Sequence, residues 1–509
     1  MKLKQFLFSA ALLASMNAIG QSVPTHEMYV DFGITERTDI VSALDKWQPG
    51  DNFSNDPDYQ DENFFISRVP LKSRFINQNT QANKNLNEEN NKNLCWCSPI
   101  GEMTKKWGPM PRYNFDGDNF NMWQYINIHA NWSNTWFRVP GTFNDVAHKN
   151  GVRTGCLYFI DWAEQVSATS SAGKMLAELC AKDGSGNFKY ARKLIQFLKY
   201  YGIDGLGLNP EGYWSTQLNE DFSSFLAECH KVAKEMNHPF HVEWYAFVSN
   251  TGGLNDNGCK LEIGANDKWF HKNGNPVTDV FFLNYNWSES GLQTSAEAAK
   301  SLGRSTYDVY AGFDQQGRGY GKYGNAGWTA LMRQPVSIVV WGAHDRSQLY
   351  AGSTEGGNSD LSVQNEYQKK QELLFTGGSR NVLRTPDITD DAITSSYSDL
   401  AKWHGYSKAV IEESALTELP FVTRFNLGNG LSFSKDGVVT FEHKWYNLGL
   451  QDLLPTWRWW IDNGDGTTIP ADPINCDFTF DDAWFGGSCL NYTELLLNLI
   501  SVYSVLNLM

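Results

Sequence analysis

Asn209, Pro210 and Glu211 stand together in "YGIDGLGLNPEGYW", residues 201–214, directly after an apolar run. On an extended segment residues i and i+2 face the same way, about 7 Å apart, so the amide and the acid converge while Pro210 stiffens the link. A carboxylic acid can give a proton to a leaving group, and an amide beside it can orient a substrate group through hydrogen bonds. Two chemistries follow. A conventional retaining glycosidase needs two carboxyl groups about 5 Å apart, one acid/base and one nucleophile, whereas a sugar carrying a 2-acetamido group can supply its own nucleophile. In the second case the protein owes one general acid, for which Glu211 fits, and one group to hold the acetamide, for which Asn209 fits. The same tripeptide also fits a turn with a helix cap.

The elements that must position such a pair are legible around it. Short β-branched and aromatic runs alternate with helical patterns: "MWQYINIHANW" from 122, "RTGCLYFIDW" from 153, "IDGLGLN" from 203, "HVEWYAFV" from 241, "DVFFLNYNW" from 279, "YDVYAGFD" from 307 and "VSIVVWG" from 336. Between two of them, "ARKLIQFLKYYG" puts Leu194, Ile195, Leu198 and Tyr201 on one helix face, with Gly202 as a left-handed stop. Strands apolar throughout and joined by helices form a parallel sheet covered on both faces. Seven such units predict a (β/α)8 TIM barrel, an α/β fold, with the eighth strand in "ELLFTGG" at 372–378 or before residue 80. A barrel presents its functional side chains where strands end, on the C-terminal face. Those ends deliver Asp161 and Trp162, Asn209 and Glu211, Glu243 and Tyr245, Asn284, Tyr285 and Trp287, Asp314 and Gln315, and Trp341 and His344. Glu243 reads as a second catalytic carboxylate or as a hydrogen-bonded acid inside the barrel mouth; Asp314 and Arg318 read as substrate contacts or as a pair at the rim. Asp204 points away from Asn209 by strand parity and reads as a structural acid facing a helix.

Composition narrows the partners. The 509-residue chain carries a formal net charge of −15 and no basic cluster, which argues against nucleic acid and anionic membranes. Its 19 Trp, 22 Tyr and 30 Phe exceed ordinary packing needs and suit the apolar faces of sugar rings. No glycine-rich phosphate loop and no metal cluster is apparent, so no cofactor or metal is expected. "MKLKQFLFSAALLASMNAIGQS" reads as a secretory signal peptide over residues 1–20, which predicts an exported protein, periplasmic, cell-surface or secreted, with no other membrane insertion. Eight cysteines in an exported chain permit disulfides, and "CWC" at 95–97 reads as loop or core rather than a zinc site. The stretch "NQNTQANKNLNEENNKN" at 77–93 reads as a solvated excursion.

Through "VPLKSRF", "AHKNGVRTG", "YGIDGLGLNPE", "EWYAF", "FFLNYNW", "VYAGFDQQGRGY", "FVTRFNLGNG", "WYNLGLQDLLPTWRWW" and "DDAWFGGSCL", in that order from about 65 to 490, the chain resembles glycoside hydrolase family 85. The resemblance implies an endo-β-N-acetylglucosaminidase that cuts the chitobiose core of N-linked glycans between its two GlcNAc residues. It implies retention through an oxazolinium intermediate, with Glu211 as acid/base, Asn209 orienting the acetamide and Tyr245 as the active-site tyrosine. Tyr285 and Trp287 would line the substrate; the strand ends, independently of the resemblance, make Trp162, Glu243 and Asp314 further candidate substrate contacts. Ala246 stands where the family usually has Asp after that tyrosine, and a further family tryptophan has no match in "NTGGLNDNGCKLE". The family also has cytosolic members, the other guide to location. It implies domains at 21–415, the barrel with an N-terminal extension, and 416–509, a β-sandwich region that reads as truncated. Two other functions fit the residues: a conventional two-carboxylate glycosidase with Glu211 as acid and Glu243 or Asp314 as nucleophile, and a non-catalytic glycan-binding barrel.

Overall fold

The computed structural model of the chain describes residues 39–50, 65–76, 81–98, 120–131, 136–137, 141–255, 258–318, 327–342, 361–377, 387–389, 403–417, 420–453, 459–462, 475–493 and 501–504. At its centre eight parallel strands close into a barrel: β1 (Leu94–Cys97), β2 (Ile128–Asn131), β3 (Arg153–Ile160), β4 (Gly205–Pro210), β5 (His241–Tyr245), β6 (Val280–Leu283), β7 (Val309–Asp314) and β8 (Ser337–Trp341). Each strand pairs with the next, and β8 pairs back onto β1 in the register Val339 to Cys95 and Trp341 to Cys97. The helices packed around it include α1 (Gly141–Lys149), α2 (Ala191–Tyr201), α3 (Thr216–Glu235), α4 (Glu289–Ser301) and α5 (Leu361–Thr376). Local chemistry sets their ends. Ser215 Oγ accepts from the Leu218 N–H at the start of α3, Ser288 Oγ from the Gly291 N–H at the start of α4, and Gly202 closes α2 at φ +73°.

Because the strands are buried on both faces, their side chains divide into two apolar bodies. Cys95, Cys97, Ile128, Ala130, Leu157, Tyr245, Val280, Phe282, Tyr310 and Val339 fill the barrel interior. The larger body lies between strands and helices and includes Leu206, Leu208, Val242, Trp244, Phe281, Leu283 and the inner faces of α2 and α3. Small residues decide what fits near the barrel floor. The His241 ring occupies space left by Gly155 and Gly205, where a Cβ on Gly205 would come within 2.3 Å of His241 Cε1. His241 Nε2 lies 3.0 Å from Glu243 Oε1, and both residues are buried.

The eighth strand falls in neither stretch suggested by the sequence. It is Leu94–Cys97, so "CWC" is core: Cys95 and Cys97 face the interior while Trp96 packs in the helix layer against Phe120 and Phe375. Residues 372–376 instead complete α5, with Leu374 and Phe375 buried. A strand of four residues entered from an Asn-rich segment gives almost no alternation to detect. That segment is also less solvated than its composition implies. Among its described residues Gln81, Leu86 and Lys92 are buried, and Lys92 Nζ donates to the carbonyls of Gln334 (2.5 Å) and Val336 (2.8 Å) at the entry to β8.

Beyond the barrel the chain forms short antiparallel pairs, among them Asn429–Gly430 with Trp445–Tyr446 and the sheet of Phe433–Lys435, Val438–Phe441 and Phe485–Gly486. This region is fastened to the barrel by polar side chains. Trp123 Nε1 donates to Gln451 Oε1 at 2.9 Å, Gln451 Nε2 donates to the Phe120 and Leu427 carbonyls, and Arg74 pairs with Glu413 at 3.0 Å. Among the described residues no helix is long and apolar enough to cross a membrane. The N-terminal segment 1–20 and His344 lie outside the described residues.

Candidate active site

At the C-terminal end of β4, Asn209 and Phe159 are register partners across β3 and β4, and Gly207, two residues before Asn209, is the partner of Glu243 on β5. Asn209 therefore sits one layer nearer the mouth than Glu243. Asn209 Nδ2 donates to Glu211 Oε2 at 2.9 Å, and both side chains are half-buried. Because a carboxylate can only accept, the amide nitrogen faces Glu211, and the Asn209 carbonyl oxygen is the group's acceptor. Burial raises the Glu211 carboxyl above the ordinary glutamate range; the Asn209 hydrogen bond opposes this and the nearby charge of Asp161 adds to it.

Tyr245 ends β5, buried against Phe282 (ring centroids 4.9 Å), Phe247 (5.2 Å, stacked) and Tyr285 (5.9 Å). Its phenol is pushed well above the usual range, first by burial and then by the charge of Glu211, so it stays a hydrogen-bond donor throughout the working pH range. Tyr285 follows β6 and is likewise raised, first by burial and then by Tyr245 and Asp314. Arg318 closes this side: its Nη1 donates to Asn286 Oδ1 at 2.7 Å, its guanidinium lies 5.7 Å from the Tyr285 ring, and its Nε is 3.9 Å from Asp314 Oδ2. Beyond Phe247 lies Trp162, 58 % exposed, whose ring meets that of Phe247 edge-on at 5.3 Å.

The structure thus gathers Asn209, Glu211, Tyr245, Tyr285, Asp314 and, through Phe247, Trp162 around one mouth. It sets two other residues apart. Glu243 lies deeper, engaged with His241 and facing Cys95 and Cys97, whose thiols are raised by burial and then by its charge. Trp287 is fully buried in the helix layer, donates to the Gly312 carbonyl at 2.8 Å and packs on Phe313. Gln315 is buried, and Asp204 is tied to His148 of α1 (2.9 Å) at the opposite end of the barrel. Phe247, the ring that joins Tyr245 to Trp162, escaped the sequence reading. Continuing the inward parity of Glu243 and Tyr245 by two more residues would have found it.

The sequence matches the family model of Glycosyl hydrolase family 85 over residues 104–433. It is similar to the cytosolic endo-beta-N-acetylglucosaminidase of Gallus gallus, with 23% identity over 496 residues, 93% of this chain and 55% of the relative. With that of Danio rerio it shares 25% identity over 374 residues, 73% of this chain and 44% of the relative. The chain thus spans about half the length of these curated relatives. In fold it is similar to the glycoside hydrolase domain of Spr0440, Endo-D from Streptococcus pneumoniae R6, at a TM-score of 0.71 and 24% identity, covering 89% of this chain and 65% of that one. These relatives overturn the expectation of export, since those of chicken, zebrafish, Arabidopsis, human and mouse are all named cytosolic. A family match across some two-thirds of the chain, centred on the closed barrel, establishes that this chain belongs to glycosyl hydrolase family 85.

Proposed function

We propose that the chain is a cytosolic endo-β-N-acetylglucosaminidase that hydrolyses the GlcNAc-β1,4-GlcNAc bond of the N-glycan core with retention, using the substrate's acetamide as nucleophile. The observation that carries this reading is the 2.9 Å hydrogen bond from Asn209 Nδ2 to Glu211 Oε2 at the mouth of the barrel. Glu211, raised by burial, gives its proton to the glycosidic oxygen as the bond to C1 breaks. The acetamide oxygen attacks C1 from the other face, and the Asn209 carbonyl accepts the acetamide N–H as the oxazolinium forms. Tyr245, held protonated by burial, donates a hydrogen bond within the same enclosure. Water then adds to C1, giving its proton to the Glu211 carboxylate, and the second displacement restores the original anomeric configuration.

The two-carboxylate alternative with Glu243 as nucleophile is disfavoured, because its Oε1 is engaged by His241 one layer below the pair. The deciding experiment is mass analysis of glycan released from an N-glycoprotein by wild type, Glu211→Gln and Asn209→Ala. Wild type should leave one GlcNAc on the protein and both variants should leave the glycan intact. If Asn209→Ala releases glycan as fast as wild type, the acetamide plays no part and the reading fails.

A further inference from the structure

Two exposed aromatic rings stand beside the acid: Trp162, 58 % exposed, and Tyr213, 44 % exposed. They lie on a ledge where the chain after β3 is hydrogen-bonded to the chain after β4. The Ala163 N–H donates to the Glu211 carbonyl (2.8 Å), the Tyr213 N–H to the Glu164 carbonyl (2.7 Å) and the Ser215 N–H to the Val166 carbonyl (2.8 Å). Ala163 holds φ +61°, a left-handed conformation that disfavours a residue with a side chain and persists because both flanks are pinned. Gly212 is required at the crossing, since a Cβ there would meet Val166 Cγ2 at 2.5 Å and the Glu164 carbonyl at 2.7 Å. A large apolar ring left in water on such a fixed turn is a platform awaiting a flat apolar partner.

The rings also have an order. Trp162 touches Phe247, Phe247 stacks on Tyr245, and Tyr245 leads to Tyr285 and Arg318, so an aromatic arc runs from the rim through the reaction centre. Trp162 occupies the end of this arc that is bonded to the backbone of Glu211, and a general acid must lie against the oxygen of the departing sugar. Asn209, which holds the acetamide of the other sugar, lies on the barrel side of Glu211.

We propose that Trp162 is the stacking platform for the leaving-side sugar, the N-acetylglucosamine that stays on the protein, and so determines recognition of the polypeptide-linked half of the substrate. This rests on the function proposed above. Its test compares two substrates: a glycopeptide carrying both N-acetylglucosamines, and the sugar oxazoline, which enters with the same glycan but has no leaving sugar. In Trp162→Ala the ratio of kcat/KM on the glycopeptide to kcat/KM on the oxazoline should fall roughly three- to tenfold relative to wild type, the span of one aromatic stacking contact. Trp162→Phe, which keeps a smaller platform, should recover most of the ratio. A ratio equal to that of wild type overturns the assignment, whether both values hold or both fall together, because Trp162 would then be idle or bound to the glycan side. A wild-type protein inert toward both substrates removes the proposed function, and this assignment with it.

Discussion

Glu211 works under three opposed influences, and each can be removed separately. Burial and Asp161 raise its carboxyl, while the Asn209 hydrogen bond, which favours the ionised form, lowers it. In the proposed mechanism the protonated acid is the form that cleaves the bond, so the basic limb of the kcat/KM profile should follow Glu211 and lie above the ordinary glutamate range. Asp161→Asn should move that limb to lower pH. Asn209→Ala should move it to higher pH in whatever activity survives, and opposite displacements by the two variants are the outcome that checks the assignment. Glu211→Gln should lower kcat roughly 10²- to 10⁴-fold, the usual loss of a general acid, measured on a substrate whose leaving group needs protonation. Tyr245 should add no limb of its own, because burial and the neighbouring charge of Glu211 keep its phenol protonated. This pair was readable in advance: the i, i+2 spacing at a strand end announced an amide and an acid on one side. The fate of Trp287 was not, since an aromatic two residues after Tyr285 can turn into the mouth or back under the helices, and its N–H finds the Gly312 carbonyl in the second direction.

At the scale of elements, the barrel end opposite the site carries a repeated clasp. His148 of α1 sets Nδ1 2.7 Å from the Val69 carbonyl and Nε2 2.9 Å from Asp204 Oδ2, which also accepts the Thr154 N–H of β3. Two strands on, His230 of α3 sets Nδ1 2.9 Å from the Leu226 carbonyl and Nε2 2.8 Å from Asp279 Oδ2, which accepts the Val242 N–H of β5. Each ring faces an acceptor at both nitrogens. For His148 burial disfavours the charge, but Asp204, the Val69 carbonyl and Asp145 outweigh it and the group is raised. Ser67 Oγ approaches His148 Nδ1 at 3.4 Å yet is 2.7 Å from Asp145 Oδ1, so this Ser-His-Asp set contains no free base and is structural. A raised histidine stabilises the fold below its unfolded pKa, and that contribution is lost as pH rises through the folded value. Urea unfolding at about pH 6 and about pH 9 should therefore show wild type losing stability at the higher pH. His148→Gln should lose less across that interval while being weaker at the lower pH by about 3 kcal/mol, the cost of leaving a buried acid without its partner. The sequence revealed that Asp204 points toward a helix, but not which residue would meet it. Parity gives direction, whereas the partner lies 56 residues away and depends on how α1 settles on the barrel.

For the whole molecule, one shape constraint governs how the barrel closes around His241. Gly205→Ala would drive a methyl carbon to within 2.3 Å of a ring sealed between β4 and β5, and overpacking of this kind costs about 1–3 kcal/mol. A lower thermal midpoint, followed by circular dichroism with Gly184→Ala as the control in open space, checks it. Alternating strands and helices specified the barrel, but not which run completes it, because β1 is four residues long and has no alternation of its own to display. The position of β1 bears on how the chain is made. The seam between β1 and β8 joins residues 94–97 to residues 338–341, so during synthesis the first strand emerges about 240 residues before the partner that closes the ring against it. Until Trp341 clears the ribosome, both margins of the growing sheet are open edges, and β1 with its two thiols is held by β2 alone on one side. The finished enzyme has no exposed margin in its central sheet, whereas its nascent form carries two, making the interval before closure the period in which it is most dependent on chaperones.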